Sequence, residues 1–237
     1  MKHFKAYPFG RRLESVVGPH PLDGALTPER TERFRQVLAR RITRLTVVVE
    51  NCWDPHNATA VLRTCEAFGV HALHVITSRN SFRVNRRISQ GAHRYVNLVE
   101  HRDTSEAIRA LREDGFRILV TDLSSDAARD PHDLRDALDR HPLALVFGNE
   151  ESGVSEEAKE AADGRFFIPM AGFVQSLNLS VTVAVSLFSI RHRELAQESQ
   201  GDMSAAEQRL WYDRWVRRQA CRRSSGGDRD AAWEPCR

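Results

Sequence analysis

From Leu45 onward, short apolar runs alternate with stretches of helical period. Leu45–Glu50 (LTVVVE), Ala72–Ile76, Arg117–Thr121 and Leu143–Phe147 read as buried strands, with Tyr95–Val99 and Phe166–Ile168 as shorter ones. Between them lie predicted helices at Asn57–Phe68, which ends before Gly69, and at Ser105–Asp114, Asp133–Asp139 and Ser155–Ala162. Arg79–Arg94 is a polar loop or short helix, and Ser176–Arg193 a longer helix. Strands alternating with helices predict an α/β fold, a mostly parallel sheet with helices on both faces. In such sheets ligands bind beyond the carboxyl ends of the strands, so the residues after each strand are the ones to read for chemistry.

The flanks differ. Residues 1–26, rich in Pro and Gly, have no clean period and read as an irregular extension. Thr27-Pro28-Glu29-Arg30 is a helix start with proline at its first position. Phe34, Val37, Leu38 and Ile42 follow at helical spacing, with arginines on the other faces. We therefore expect a main domain over 27–196 that includes this basic helix. Residues 197–237 are polar, with a helix over 205–220 and a tail, Arg222–Asp230, of disordered composition.

Composition narrows the class. The 237 residues are 41% hydrophobic and 28% charged, ordinary for a globular protein. No run approaches the ~18 apolar residues of a membrane span, and the first residues lack a signal-peptide core. We expect no membrane partner and a cytoplasmic protein. Cys52, Cys65, Cys221 and Cys236 form no CxxC pair and no Cys/His quartet, so no metal site is expected. Net charge is only +3, but residues 1–45 carry ten Lys/Arg against four Asp/Glu. Arg79–Arg94 holds five arginines and no acid. Arginine's planar fork matches phosphate. The pattern fits a nucleic-acid partner, or an arginine-rich solvated surface equally well.

Three segments after strands combine small, amide and charged residues. In the first, Asp54–Thr64, Asn57 reads as the helix cap, and Arg63 lies six residues on, off its face. Arg63 can pair with Glu150. The second, Gly148-Asn149-Glu150-Glu151-Ser152-Gly153, is a glycine-flanked turn where backbone can approach a ligand closely; Ser155 would cap the next helix. It is neither a Walker loop nor a G-x-G-x-x-G site. The third runs from Ile168-Pro169-Met170 to Ser176-Leu177-Asn178, with Ser176 as the cap and Asn178 in the first turn of the last long helix. Each alone reads equally as a strand–helix connection.

Taken together and in order, the motifs Asn57-xx-Ala60-xx-Arg63-Thr64, Phe147-Gly148-Asn149-Glu150-xx-Gly153-Val154-Ser155 and Ile168-Pro169-Met170 with Ser176-Leu177-Asn178 resemble the SpoU-TrmH branch of the SPOUT superfamily. These are RNA ribose 2′-O-methyltransferases. The likeness runs from about Thr27 to about Ala196 and is strongest to members acting on guanosine 18 of tRNA. It implies a deep C-terminal trefoil knot and a homodimer with its site at the subunit interface. It also implies S-adenosyl-L-methionine as donor, leaving S-adenosyl-L-homocysteine. By matching positions, Thr121, Gly148, Asn149, Gly153, Ile168, Met170 and Leu177 would bind the donor. Arg63, Asn57, Glu150, Ser176 and Asn178 would carry or position the chemistry. Arg30, Arg33, Arg40, Arg41, Arg86, Arg87 and Arg94 are the candidate RNA phosphate contacts. Whether Arg63 accepts the proton or only orients phosphate and hydroxyl stays open, because a guanidinium is an awkward base. A ribosomal RNA substrate and a non-catalytic RNA-binding module are the alternative readings.

Overall fold

A computed structural model describes residues 11–79, 82, 85–123 and 133–224. Two compact units divide the chain, residues 42–195 and residues 1–41 with 196–237.

The larger unit is a six-stranded, all-parallel sheet in the order β3-β2-β1-β5-β4-β6. The strands are β1 (Leu45–Glu50), β2 (Ala72–Ile76), β3 (Asn97–His101), β4 (Arg117–Thr121), β5 (Leu143–Phe147) and β6 (Gly164–Phe166). Strands of a parallel sheet covered on both sides are apolar throughout, and every residue of β1 and β5 is buried. Alternate residues serve opposite faces. Val47, Val49 and Leu145 pack with α2 (Pro55–Ala67), α5 (Asp133–Arg140) and α7 (Leu179–Ala196). Val48, Ala144 and Val146 pack with α4 (Thr104–Glu113) and α6 (Glu156–Ala161). A four-residue helix, α3 (Arg86–Ser89), and a 3-10 turn at Ala92–Arg94 lie between β2 and β3. The predicted α/β class and parallel sheet stand.

Several boundaries differ from the sequence reading, four of them at residues that shape the sheet edge. Helix α2 starts at Pro55, two residues before Asn57, and Asp54 is its cap, accepting from the His56 N–H at 2.8 Å. Proline at the first position has its φ preset and no N–H to satisfy, so it fixes the start there. Strand β3 begins at Asn97, because the 3-10 turn occupies Ala92–Arg94. β6 pairs only Gly164–Phe166 with β4 and leaves the sheet before Ile168. Helix α7 starts at Leu179 and not at Ser176. Asn178 caps it, accepting from the Ser180 N–H at 2.9 Å.

In the smaller unit, α1 (Pro28–Leu38), capped by Thr27, packs against α8 (Ala205–Ser224). The Phe34 ring meets Trp215 edge-on at 5.4 Å, and the Arg35 guanidinium lies 4.8 Å from the Tyr212 ring centre. Asp23 accepts from Arg35 at 2.6 Å and from the Tyr212 hydroxyl at 2.5 Å, which ties the irregular 11–26 segment to both helices. Helix α8 continues through Arg222–Ser224; the rest of the predicted disordered tail lies outside the described residues. No helix among the described residues is long and apolar enough to cross a membrane.

β2 and β3 contribute an unusual core pair. The rings of His74 and His101 stack, with His74 Nδ1 and His101 Nε2 2.9 Å apart. Burial, and then the neighbouring imidazole, push the His74 pKa down to about 4, and burial lowers that of His101. The unfolded chain takes up the His74 proton near 6.5 and the folded chain only near 4, so stability is complete above about pH 6.5 and lost as pH falls through that window. We expect the melting temperature to fall steeply between pH 6.5 and 4. At ~1.4 kcal/mol per pH unit the loss through His74 is roughly 3 kcal/mol. His74→Gln flattens that slope in a thermal melt series, and an unchanged slope contradicts the assignment.

Candidate functional site

Because the strands are parallel, the loops after β1, β4, β5 and β6 open on one edge of the sheet. The loop after β5 closes on itself. Asn149 and Gly153 exchange backbone hydrogen bonds, both at 3.1 Å. Asn149 Oδ1 accepts from the N–H groups of Glu151 (3.0 Å) and Ser152 (2.6 Å). Gly153 sits at φ 68°, a left-handed conformation, and a Cβ on Gly148 would overlap the backbone of Gly153 and Val154. Both glycines are therefore demanded by geometry.

The far end of this loop is anchored by Glu50, the last residue of β1. Its buried carboxylate accepts from the Ser155 N–H (2.8 Å), the Ser155 hydroxyl (2.7 Å) and the Thr104 hydroxyl (2.6 Å). Three donors compensate its burial. They join the end of β1 to the starts of α4 and α6, with Ser155 capping α6 as predicted. Sequence reading took Glu50 for the end of a strand and missed this role.

The three motif loops meet through side chains. Asn178 Nδ2 donates to Asn57 Oδ1 at 3.0 Å, and Asn57 Nδ2 donates to Glu150 Oε1 at 2.6 Å. Freed from capping, the Asn57 side chain thus links the second motif to the third. Glu150 also accepts from the Trp53 N–H at 3.4 Å and, more weakly, from the Cys52 thiol at 3.7 Å. Burial, reinforced by the Glu150 charge, pushes the Cys52 pKa up to about 12, so this thiol stays a donor. The sequence reading had no signal for Cys52 or Trp53.

Next to this chain lies a cavity of about 420 Å³. All seven expected donor-binding residues (Thr121, Gly148, Asn149, Gly153, Ile168, Met170 and Leu177) line it, with Glu150 and Ser176. Phe147, Phe166 and Leu179 add apolar wall, and Asp122 and Leu123 extend its rim. A concave, mostly apolar volume with backbone groups at one side is what a small organic ligand requires.

Arg63 stands apart. Its exposed guanidinium donates to the Ile88 carbonyl at 3.0 Å, and among the described residues no ion pair with Glu150 forms. Arg63 follows Asn57 by six residues on α2 and so leaves from another side of the helix. The candidate phosphate contacts divide. Arg30 and Arg33 are exposed, and Arg94 is half-buried. Arg40 and Arg41 are buried, which corrects their expected place on a solvated basic face. Arg40 donates to the Gln36 carbonyl and side chain and to the Arg11 carbonyl, and Arg41 lies under Trp215. The side chains of Arg86 and Arg87 lie outside the described residues. Among the described residues no cluster of His, Cys, Asp and Glu is arranged for a metal ion.

Comparison with known proteins now fits this geometry. The model of the SpoU rRNA Methylase family matches residues 44–188, within the larger unit. The chain belongs to the SpoU methylase family. A Thermus thermophilus relative named tRNA (guanosine(18)-2′-O)-methyltransferase is 44% identical over 169 residues, covering 71% of this chain and 85% of the relative. The Escherichia coli protein of the same name is 35% identical over 193 residues, covering 79% and 82%. The crystal structure of the A. aeolicus TrmH/SpoU tRNA modifying enzyme superposes with a TM-score of 0.72 at 30% identity, covering 80% of this chain and 96% of that one.

Gly148→Ala tests the cavity. With no room for a methyl group there, the loop must open, and we expect loss of S-adenosylmethionine binding by calorimetry while the circular dichroism spectrum is kept. Wild-type affinity in the variant contradicts the close packing.

Proposed function

We propose that the protein is an S-adenosylmethionine-dependent tRNA (guanosine(18)-2′-O)-methyltransferase. The observation that carries this reading is the Asn178–Asn57–Glu150 chain beside a cavity lined by the motif loops, in a member of the SpoU methylase family whose relatives bear that name. The cavity suits the donor. Adenine needs apolar walls and backbone partners, which Ile168, Leu177 and the Gly148–Gly153 turn offer, and ~300–1,000 Å³ is the usual range for such ligands. When bound, S-adenosylmethionine supplies an electrophilic methyl group and leaves S-adenosylhomocysteine.

The chain's own residues then serve the acceptor. Asn57, Glu150 and Asn178 hold the loops in register, and Ser176 faces the cavity beside them. Arg63 clamps the phosphate next to the target ribose and orients its 2′-hydroxyl for in-line attack. A guanidinium remains protonated at neutral pH, so the hydroxyl proton passes to phosphate or solvent. The 2′-hydroxyl makes the substrate RNA and not DNA. Arg30 and Arg33, exposed on α1, and Arg94 supply sequence-independent phosphate contacts. We read 27–196 as the working domain, with 1–26 and 197–237 as its extensions, in a cytoplasmic protein.

Two features of this reading concern architecture. The C-terminal part of the larger unit forms a trefoil knot, supported by the return of α7 to the α2 face after β6, at the far edge of the sheet. The protein works as a homodimer. Within one chain Arg63 makes no hydrogen bond to Asn57, Glu150 or Asn178 among the described residues and does not line the cavity. A site completed across two subunits resolves this separation. Val181, Val185 and Phe188 leave an exposed apolar stripe on α7, 44%, 36% and 57% exposed, which fits burial against a second copy.

The test is methyl transfer from labelled S-adenosylmethionine to unmodified tRNA, with the product mapped by nucleotide. We expect a 2′-O-methyl group at guanosine 18. Transfer to fragments of ribosomal RNA alone supports the ribosomal RNA reading. No transfer to either RNA overturns both. Arg63→Ala is expected to lower turnover by about 10²-fold or more while donor affinity is retained, and near-normal turnover refutes its role.

A further inference from the structure

Two loops at the carboxyl edge of the sheet, 51–54 and 77–79, are fastened together by Asn51. Its Oδ1 accepts from the Arg79 N–H at 2.9 Å, and its Nδ2 donates to the Ser78 hydroxyl at 3.0 Å. Its own N–H bonds the Ile76 carbonyl at 2.9 Å. Asn51 achieves this at φ 51°, in the left-handed region that costs a side-chain-bearing residue energy and that asparagine tolerates best. The fastened loops present two side chains to solvent. Trp53 is 77% exposed, and Arg79 is exposed. Trp53 is not a distant surface residue, because its N–H is held by Glu150, the carboxylate that also holds Asn57.

We propose that Trp53 and Arg79 form a nucleotide platform for the substrate RNA next to the acceptor site, the indole stacking on an unpaired base and the guanidinium engaging the backbone phosphate. This rests on the RNA methyltransferase reading and names the surface through which that site takes its substrate. A ribose inside structured RNA reaches a catalytic cleft only when its nucleotide, or a neighbour, leaves its stack, and the freed base needs another π-face. A tryptophan whose ring is in water offers such a face, which any base can use. A nearby arginine provides the counter-charge for the strand. The platform therefore contributes to affinity and presentation, not to base identity.

The experiment measures binding of an unmodified tRNA transcript to the full-length protein at several salt concentrations, alongside steady-state methyl transfer. Trp53→Ala is expected to weaken RNA binding and raise KM for RNA by about ten- to a hundredfold, with S-adenosylmethionine affinity retained. Trp53→Tyr restores most of the loss, which a purely structural role would not predict. Arg79→Gln lowers the slope of log affinity against log salt by about one. Unchanged RNA affinity in Trp53→Ala overturns the proposal, as does a change of oligomeric state on sizing, which places the indole in a subunit contact. If Trp53→Ala fails to fold, an unchanged salt slope in Arg79→Gln overturns it. A wild-type protein that binds RNA through Trp53 but transfers no methyl group refutes the catalytic reading and leaves the platform standing; full methyl transfer with no Trp53 effect does the reverse.

Discussion

The amide of Asn57 satisfies two loops at once. Its oxygen accepts from Asn178 and its nitrogen donates to Glu150, so the starts of α2 and α7 and the turn after β5 hold one relative arrangement. An amide is suited to this place because it carries a donor and an acceptor a fixed distance apart. A carboxylate there would repel Glu150, and a hydroxyl is too short to span both partners. Were Asn57 the helix cap, its oxygen would be committed to a backbone N–H. Asp54 relieves it of that task.

The end of β1 has a comparable part in holding the edge of the sheet. Glu50 binds the starts of α4 and α6, Asn51 binds the loop after β2, and Cys52 and Trp53 lean on Glu150. Four consecutive residues thus connect the end of β1 to the loop after β2, to the turn after β5 that lines the cavity, and to the starts of α4 and α6. The sheet provides rigidity through buried β1 and β5, and this short stretch conveys it to groups that need accurate placement.

Much of the fold was legible in the sequence. The apolar runs of β1, β2, β4 and β5 end where turn residues begin, and these strands lie where periodicity places them. β3 and β6 shifted because these outer strands have few apolar residues to mark their ends, and pairing with β2 and β4 decides them. The motif residues were recognisable as a set, yet their contacts were not. Nothing in the spacing of Asn57, Glu150 and Asn178 indicates which amide group faces which partner, and Arg63 bonds Ile88 instead of Glu150. Arg40 and Arg41 show the limit of reading charge as exposure. A guanidinium can be buried when carbonyls or an indole receive it, and those partners come from segments remote in sequence.

The most direct test of this site is a crystal structure of the protein with S-adenosylhomocysteine bound. The ligand is expected between the Gly148–Gly153 turn and Leu177, with Asn178, Asn57 and Glu150 still joined beside it. A ligand seated elsewhere on the molecule, or the three side chains separated with the ligand in place, would contradict it.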